Sequence, residues 1–557
     1  MFRKSILRIF ISVIICSMIF TGCSNSNVGE KETSTKDDNA MTEAAEQTLN
    51  MPLSAEPDSL DLARVSDMYS ATVAAQIIEG LTTVEVENGK DVEKGALAES
   101  WTISDDHLVW TFKLRDAQWS DGVQVKAQDF VYGITRVLNP KTASPISSNI
   151  KFIKNAQEII EGTKDISEAG VRAIDEKTLE ITLDYPVPYF LSSAAGTAMF
   201  PVRQDIVEKY GDSYGTDADK IVCCGPFVLD EWVHNSKLSF SKNQTYWDNE
   251  NVKLEKVNMK IISEETAGIG EFKNGQLDFI SVSSAEWIKE LSKNEDYIKS
   301  TISLPRTQYL FFNQQTPVFS NAKVRQAFSI ALDREQITHD IFQDIEPAAY
   351  GWIPPSMNID GENFREKAGE PIKELIQENS DPKVLLIEGM KELGMGEDPS
   401  VITINLMCRN TVKEFSEYLQ QHFHDVLGVN IELDPVEWPI FQERNRALDY
   451  EMGFKSYGAD FNDPSSMMDL WITGTKTVPT AWSNSEYDKL INEANQSIDK
   501  ELRAKNFIKA ESILLKEDAT IIPYAYSESN TFSHKYLKNL MEPSFTAIIL
   551  KNAYIDK

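Results

Sequence analysis

Leu108-Val-Trp-Thr-Phe-Lys-Leu-Arg115 sets large apolar side chains at 108, 110, 112 and 114, with smaller or polar ones between. That is the period of a half-buried strand. The alternation returns at Leu179-Ile181-Leu183 against Glu180 and Thr182, at Leu238 and Phe240, and at Val257-Met259-Ile261. Ala74, Ile77, Ile78 and Leu81 instead keep helical spacing. The second half is richer in helix. Its stripes are Val324-Ala327-Phe328-Ala331, then Phe415-Tyr418-Leu419-Phe423-Val426 with Gly428 as C-cap, then Tyr487-Leu490-Ile491-Ala494, then Leu502 to Leu515. Val401-Thr403-Asn405 and Val429-Ile431-Leu433 read as strands between them. Alternating strands and helices predict α/β lobes with mixed sheets, and these stripes are assigned to core packing.

The chain has 557 residues and 41% hydrophobic composition, which predicts a globular body of two or three domains. Its formal net charge is −31, a field that repels phosphates and excludes nucleic acid as a partner. The acidity is read as a solubility feature, with attraction for cationic ligands as the sharper alternative. Of the five cysteines, Cys223 and Cys224 are adjacent, a strained geometry for a bridge. They and Cys408 are expected to be free and buried.

The first residues carry Arg3, Lys4 and Arg8, then an apolar run from Ile9 to Phe20, then Thr21-Gly22-Cys23. A basic start, a short apolar stretch and small residues at the cut describe a signal peptide over 1–22. The run is too short for a membrane span of roughly 20 residues. Phe20-Thr21-Gly22-Cys23 resembles the bacterial lipobox, with Phe20 where leucine is usual; a plain signal peptide is the alternative. Residues 23–48 are rich in Ser, Asn, Thr, Lys, Asp and Glu and cannot bury enough surface to order themselves. They are expected to be a tether reaching roughly 25–30 Å, with a lipid anchor at Cys23.

No catalytic constellation is present. The six histidines include His422 and His424, two apart on an expected helix and so on different faces. There is no nucleophile elbow, phosphate loop or zinc helix motif. Asp460-Phe-Asn-Asp463 starts like a calcium loop but fails at Pro464, Ser465 and Trp471. No metal, no cofactor and no enzymatic activity are expected; a large exported chain without chemistry reads as a binder.

Several blocks together resemble the solute-binding family typified by bacterial oligopeptide-binding proteins of ABC importers, extracellular solute-binding protein family 5. The longest runs from Gly95-Ala-Leu-Ala-Glu-Ser-Trp101 through Leu108–Arg115 and Trp119-Ser-Asp-Gly122 to Asp129-Phe-Val-Tyr132. Ser59-Leu60-Asp61, Glu79-Gly80-Leu81, Pro186-Val-Pro-Tyr-Phe190, Gly225-Pro-Phe227, Tyr246-Trp247, Val252-Lys-Leu254, Phe312-Asn313, Lys323-Val-Arg-Gln-Ala327, Asp333-Arg334 and Asn462-Asp463-Pro464 extend it.

The resemblance implies a two-lobed periplasmic-binding-protein-like fold, type II, in its large three-domain variant. Residues 49–80, 201–308 and 528–557 would form lobe I, 81–200 an extra domain, and 309–527 lobe II. A ligand would lie in the cleft and the lobes would close on it. The implied function is an extracytoplasmic, lipid-anchored receptor, monomeric, that passes oligopeptides to the permease and ATPase subunits of an importer. Backbone pairing would carry affinity for any sequence. The implied pairing segments are Ser456-Tyr457-Gly458, and Asp67-Met68 in lobe I. Asp460 would accept the peptide's α-ammonium, or else merely cap a turn; Trp438 would line a side-chain pocket, or else be core. Phe454 and Lys455 stand where some members keep an arginine for the peptide's carboxylate, with Lys455 as the substitute cation. The other readings are the same fold tuned to a dipeptide, signalling peptide, nickel, haem or sugar, and an extracytoplasmic chaperone. Few histidines disfavour nickel.

Overall fold

The computed structural model describes residues 46–557 except 88, 89 and 476. The signal segment, Cys23 and the chain up to 45 lie outside the described residues. Strand β1 (Thr48–Leu53) begins on the last residue assigned to the tether. The hairpin β2 (Thr82–Glu87) and β3 (Lys90–Gly95) follows, then β4 (Ala98–Ile103), β5 (Val109–Leu114), β6 (Val171–Asp175) and β7 (Thr178–Thr182). Next come β8 (Phe227–Val233), β9 (Lys237–Lys242), β10 (Lys256–Ile261), β11 (Phe279–Val282) and the long β12 (Tyr297–Phe312). The short pair β13 (Asn358–Ile359) and β14 (Glu362–Asn363) precedes β15 (Thr403–Arg409), β16 (Asn430–Val436), β17 (Met452–Gly458) and β18 (Ile521–His534).

Three larger sheets carry most of these strands: β1-β10-β9-β8, β4-β5-β7-β6 and β11-β18-β12-β17-β15-β16, while β2-β3 and β13-β14 pair by themselves. Leu49, Met259 and Phe240 of the first sheet share one core with Phe112 of the second. The third sheet buries both faces. Successive residues of β12 split between them, as strand geometry requires. Leu310 and Phe312 meet Phe328 and Leu406 on one face, whereas Tyr309 and Phe311 meet Met407 and Tyr487 on the other. Cys223, Cys224 and Cys408 are buried and unbridged. No helix among the described residues is long and apolar enough to cross a membrane.

Two expected elements shift. The helix Met68–Ile77 ends at Ile78, so Leu81 is buried from the loop beyond it. β15 starts at Thr403, and Thr403 and Asn405 face solvent while Ile404 and Leu406 enter the core. The Val401-Thr403-Asn405 alternation is one residue out of phase with the buried set, and a one-residue slip exchanges the faces of a strand.

The sequence blocks are the joints of this framework. Trp119 Nε1 and the backbone N–H of Lys126 both donate to Asp129, at 3.1 and 3.0 Å. Glu79 accepts from the hydroxyl of Tyr246 and, at 2.6 Å, from Trp247 Nε1. Asp61 is buried and ion-pairs with Arg136, which ties the helix Ala127–Leu138 to the first sheet's body. Arg325 and Arg334 are buried without an anion and donate instead to main-chain carbonyls: Arg325 to Phe319 and Asp518, Arg334 to Ser329, Leu332, Ala349 and Pro523. These arginines saturate backbone groups that burial would otherwise leave unpaired.

Gly225 is required by close approach. A Cβ there would lie 2.8 Å from the carbonyl carbon of Ile77 and 2.9 Å from the nitrogen of Ile78, both backbone atoms that cannot rotate away. Gly225→Ala is expected to destabilise the protein by about 1–3 kcal/mol, the usual cost of overpacking. Denaturant unfolding measures this, and an unchanged midpoint would contradict the assigned packing.

Candidate ligand-binding site

β17 is paired unequally along its two edges. Its β12 edge is matched from Arg306↔Gly458 to Phe312↔Met452. Its β15 edge is matched only at Leu406↔Met452 and Met407↔Gly453. β15 then continues with β16 as far as Arg409↔Val436 and leaves β17. Among the described residues, Phe454 to Gly458 therefore have no strand on that side. Five residues give an open edge of about 16 Å, able to accept an extended chain through main-chain hydrogen bonds.

The segment after this edge is pinned residue by residue. Ala459 N–H donates to the Pro305 carbonyl at 2.7 Å. Asp460 N–H donates to Ser466 Oγ at 2.7 Å. Asn462 Oδ1 accepts the backbone N–H of Asn358 at 2.8 Å. Asp463 is buried and pairs with the fully buried Arg503 at 2.7 Å; Arg503 also reaches Asp360 at 2.9 Å. Asp463 takes the Ser465 hydroxyl as well, at 2.7 Å.

The Asp460 carboxylate, by contrast, keeps an exposed surface and only one side-chain partner, the Tyr457 hydroxyl, which donates at 3.2 Å. No lysine or arginine among the described residues ion-pairs with it. Partial loss of water raises its pKa above the ordinary aspartate value, and the Tyr457 hydrogen bond opposes this. A partly desolvated carboxylate held on a pinned turn has the charge and position to accept a cation.

The other expected residues fall around this edge in distinct ways. Ser456 is exposed, and Tyr457 and Gly458 are half-buried. Trp438 opens the helix Trp438–Arg446 and is 45% exposed, so it is not core. Its ring stacks on Phe441 at 5.5 Å, and the Arg409 guanidinium lies 5.5 Å from its centroid. Phe454 points into a core against Phe415. Lys455 points the opposite way and donates to Asn445 Oδ1 at 3.0 Å. Burial, with Arg446 close by, pushes its pKa down to about 8. Asp67 is extended and caps the helix Met68–Ile77, accepting from Tyr69 and Ser70 N–H. Met68 is already helical and 71% exposed, so extended backbone on that side ends at Asp67. Arg409 and Arg446 escaped the sequence reading; a lone arginine carries no signal until the sheet places it.

Two cavities adjoin the pinned segment. One, of about 1030 Å³, is polar and lined by Ser300–Ser303 of β12, Asn358, Glu542 and Lys551. The other, of about 340 Å³, is lined by Tyr189, Asn358, Asp360, Asn462 and Asp463. Among the described residues, no group of three or more His, Cys, Asp or Glu side chains is placed to hold a metal ion.

An α/β body with an open strand edge and an unpaired carboxylate at its end is a cleft binding protein. The comparisons with known proteins give that class a family. Residues 93–478 match the model of bacterial extracellular solute-binding proteins, family 5 (middle), and the chain belongs to that family. The dipeptide-binding protein DppE of Bacillus subtilis is 32% identical over 538 residues, 96% of each chain. The periplasmic oligopeptide-binding protein OppA of Escherichia coli is 30% identical over 495 residues, 87% of this chain and 88% of that one. The structure of Listeria monocytogenes OppA bound to peptide superposes with a TM-score of 0.71 at 30% identity, covering 92% of this chain and all of that one. The unliganded open form of the murein tripeptide binding protein MppA gives 0.77 at 27% identity, with 92% and 98% coverage. The fold is thus the two-lobed one of periplasmic binding proteins.

The two neighbouring aspartates should separate in mutagenesis. Asp463→Ala leaves Arg503 buried with one partner fewer and is expected to cost about 3–5 kcal/mol of stability. Asp460→Asn is expected to stay within about 0.5 kcal/mol of the parent, as surface substitutions do. Thermal unfolding of both variants checks the contrast; equal losses would refute it.

Proposed function

We propose that this chain is an extracytoplasmic receptor that binds oligopeptides on the open edge of β17 and delivers them to the permease and ATPase subunits of an ABC importer. One observation carries the reading: a strand edge, Phe454 to Gly458, that is unpaired among the described residues and ends in a carboxylate with no counter-ion among them. Peptide backbone pairs with the edge whatever its side chains, and the α-ammonium meets Asp460. The opposite end of the edge carries Lys455, an under-paired cation suited to the terminal carboxylate. Trp438 offers an apolar wall to a side chain, and Asp67-Met68 faces the ligand from lobe I. Relatives named as oligopeptide- and dipeptide-binding proteins support this, as does a solved relative described as the substrate-binding domain of an oligopeptide ABC transporter.

The lobes are proposed to be residues 49–80, 201–308 and 528–557, with 81–200 as an extra domain, against 309–527. A change of register supports placing the joint there: Leu304, Pro305 and Arg306 of β12 stand opposite the single Ser527 of β18. Cys23 is proposed as the lipid anchor and residues 23–48 as the tether, acting with a monomeric, cofactor-free receptor. Closure over the ligand is driven only by its higher affinity for the closed state. A dipeptide receptor is the second reading, favoured by the 32% identity to DppE.

Mass spectrometry of ligands released from the purified protein tests the function; mixed free peptides are expected, and their absence would count against it. In calorimetry, Asp460→Asn is expected to weaken pentapeptide binding tenfold or more, given about 3–5 kcal/mol for breaking a desolvated charge pair. The carboxylate must be ionised to hold an ammonium, and its pKa is raised. Affinity should therefore fall as pH drops through a value above the ordinary aspartate range. An N-acetylated peptide should not share that fall, and parallel profiles for both peptides would exclude Asp460 as the ammonium acceptor.

A further inference from the structure

The block Pro186-Val-Pro-Tyr-Phe190 does more than pack. Phe190 is fully buried, with its ring 4.7 Å from Trp110 and 5.7 Å from Phe152. Tyr189 packs at the margin of that core, edge-on to Phe152 at 6.4 Å. Its ring lies flat on Phe461, with centroids 3.9 Å apart and planes 11° from parallel. Phe461 directly follows Asp460, whose N–H is held by Ser466 Oγ. Tyr189 thus braces the turn at the residue next to the Asp460 carboxylate.

The origin of this grip matters. Pro305 lies on β12, and Asn358, Asp360 and Arg503 fall, like the turn, between β12 and β18 in the chain. Tyr189 comes from the body built on β4–β7, just after β7. We infer that Tyr189 is a positioning residue for the ligand's amino terminus. It acts through the ring stack on Phe461 to hold Asp460 at the end of the open edge, so the β4–β7 body takes part in recognition without touching the ligand. This rests on the reading that Asp460 accepts the α-ammonium. The physical reason is orientation: a carboxylate on a turn that rocks by about 1 Å loses much of a charge-assisted hydrogen bond whose length is tightly set.

The test is calorimetry with penta-alanine and N-acetyl-penta-alanine on wild type, Asp460→Asn, Tyr189→Phe, Tyr189→Ala and Phe461→Leu, each checked for folding by thermal melt. Tyr189→Ala and Phe461→Leu are expected to weaken penta-alanine binding about tenfold, the scale of about 1.4 kcal/mol, and to leave the acetylated peptide within about twofold. Tyr189→Phe keeps the stack and should bind like wild type. Equal weakening for both peptides would overturn the inference, because the effect would not pass through the ammonium site. If Asp460→Asn weakens penta-alanine and Tyr189→Ala does not, the inference fails while the role of Asp460 stands. If Asp460→Asn binds like wild type, both fail.

Discussion

The structure depends on how one strand pair is made and then partly unmade. β12 and β18 run side by side for most of their length, and every other strand of the six-stranded sheet attaches to one of them directly or through β17 and β15. Their register breaks at Leu304–Arg306, where three residues stand against one. A bulge of this kind bends the strands and leaves backbone groups without ladder partners. On the other side of β12, toward β17, the Pro305 carbonyl accepts the Ala459 N–H one step past Arg306↔Gly458, and this anchors the turn beyond β17. The same turn carries Asp460. The bend comes from β12 against β18, and the open edge from β15 leaving β17 after Gly453.

The electrostatics of that turn divide the labour between two aspartates three residues apart. Asp463 is buried, paired with Arg503 and hydrogen-bonded by Ser465, so its charge is neutralised inside the protein. Asp460 has no such partner among the described residues and is only partly desolvated. An acidic chain of this kind could have offered many carboxylates to a cation, but most are in water, where a single exposed pair contributes little. The turn has what they lack: a fixed position, partial desolvation, and an open strand edge leading up to it.

Much of the framework was legible from local pattern. The alternation at Leu108–Leu114 is β5, and the stripe closed by Gly428 is the helix Lys413–Leu427 with that glycine in the left-handed conformation. The blocks that mark the family turn out to be joints: Trp119 with Asp129, Glu79 with Tyr246 and Trp247, Asp463 with Arg503. Joints read well in sequence because each needs a particular side chain at a particular place. The phase of β15 read poorly, because Val401, Thr403 and Asn405 alternate as neatly as Ile404 and Leu406 and only the core chooses between them.

By itself the sequence determined the α/β class, the absence of a catalytic motif and the segment that holds Asp460. These rest on periodicity and residue chemistry, which are local. Tertiary structure alone decided that β17 loses its β15 partner after Gly453, that Phe454 is core while Lys455 faces the other way, and that Tyr189 reaches Phe461 from another sheet's body. These are relations between segments far apart in the chain, set by how strands diverge and bodies dock, and no local pattern encodes them.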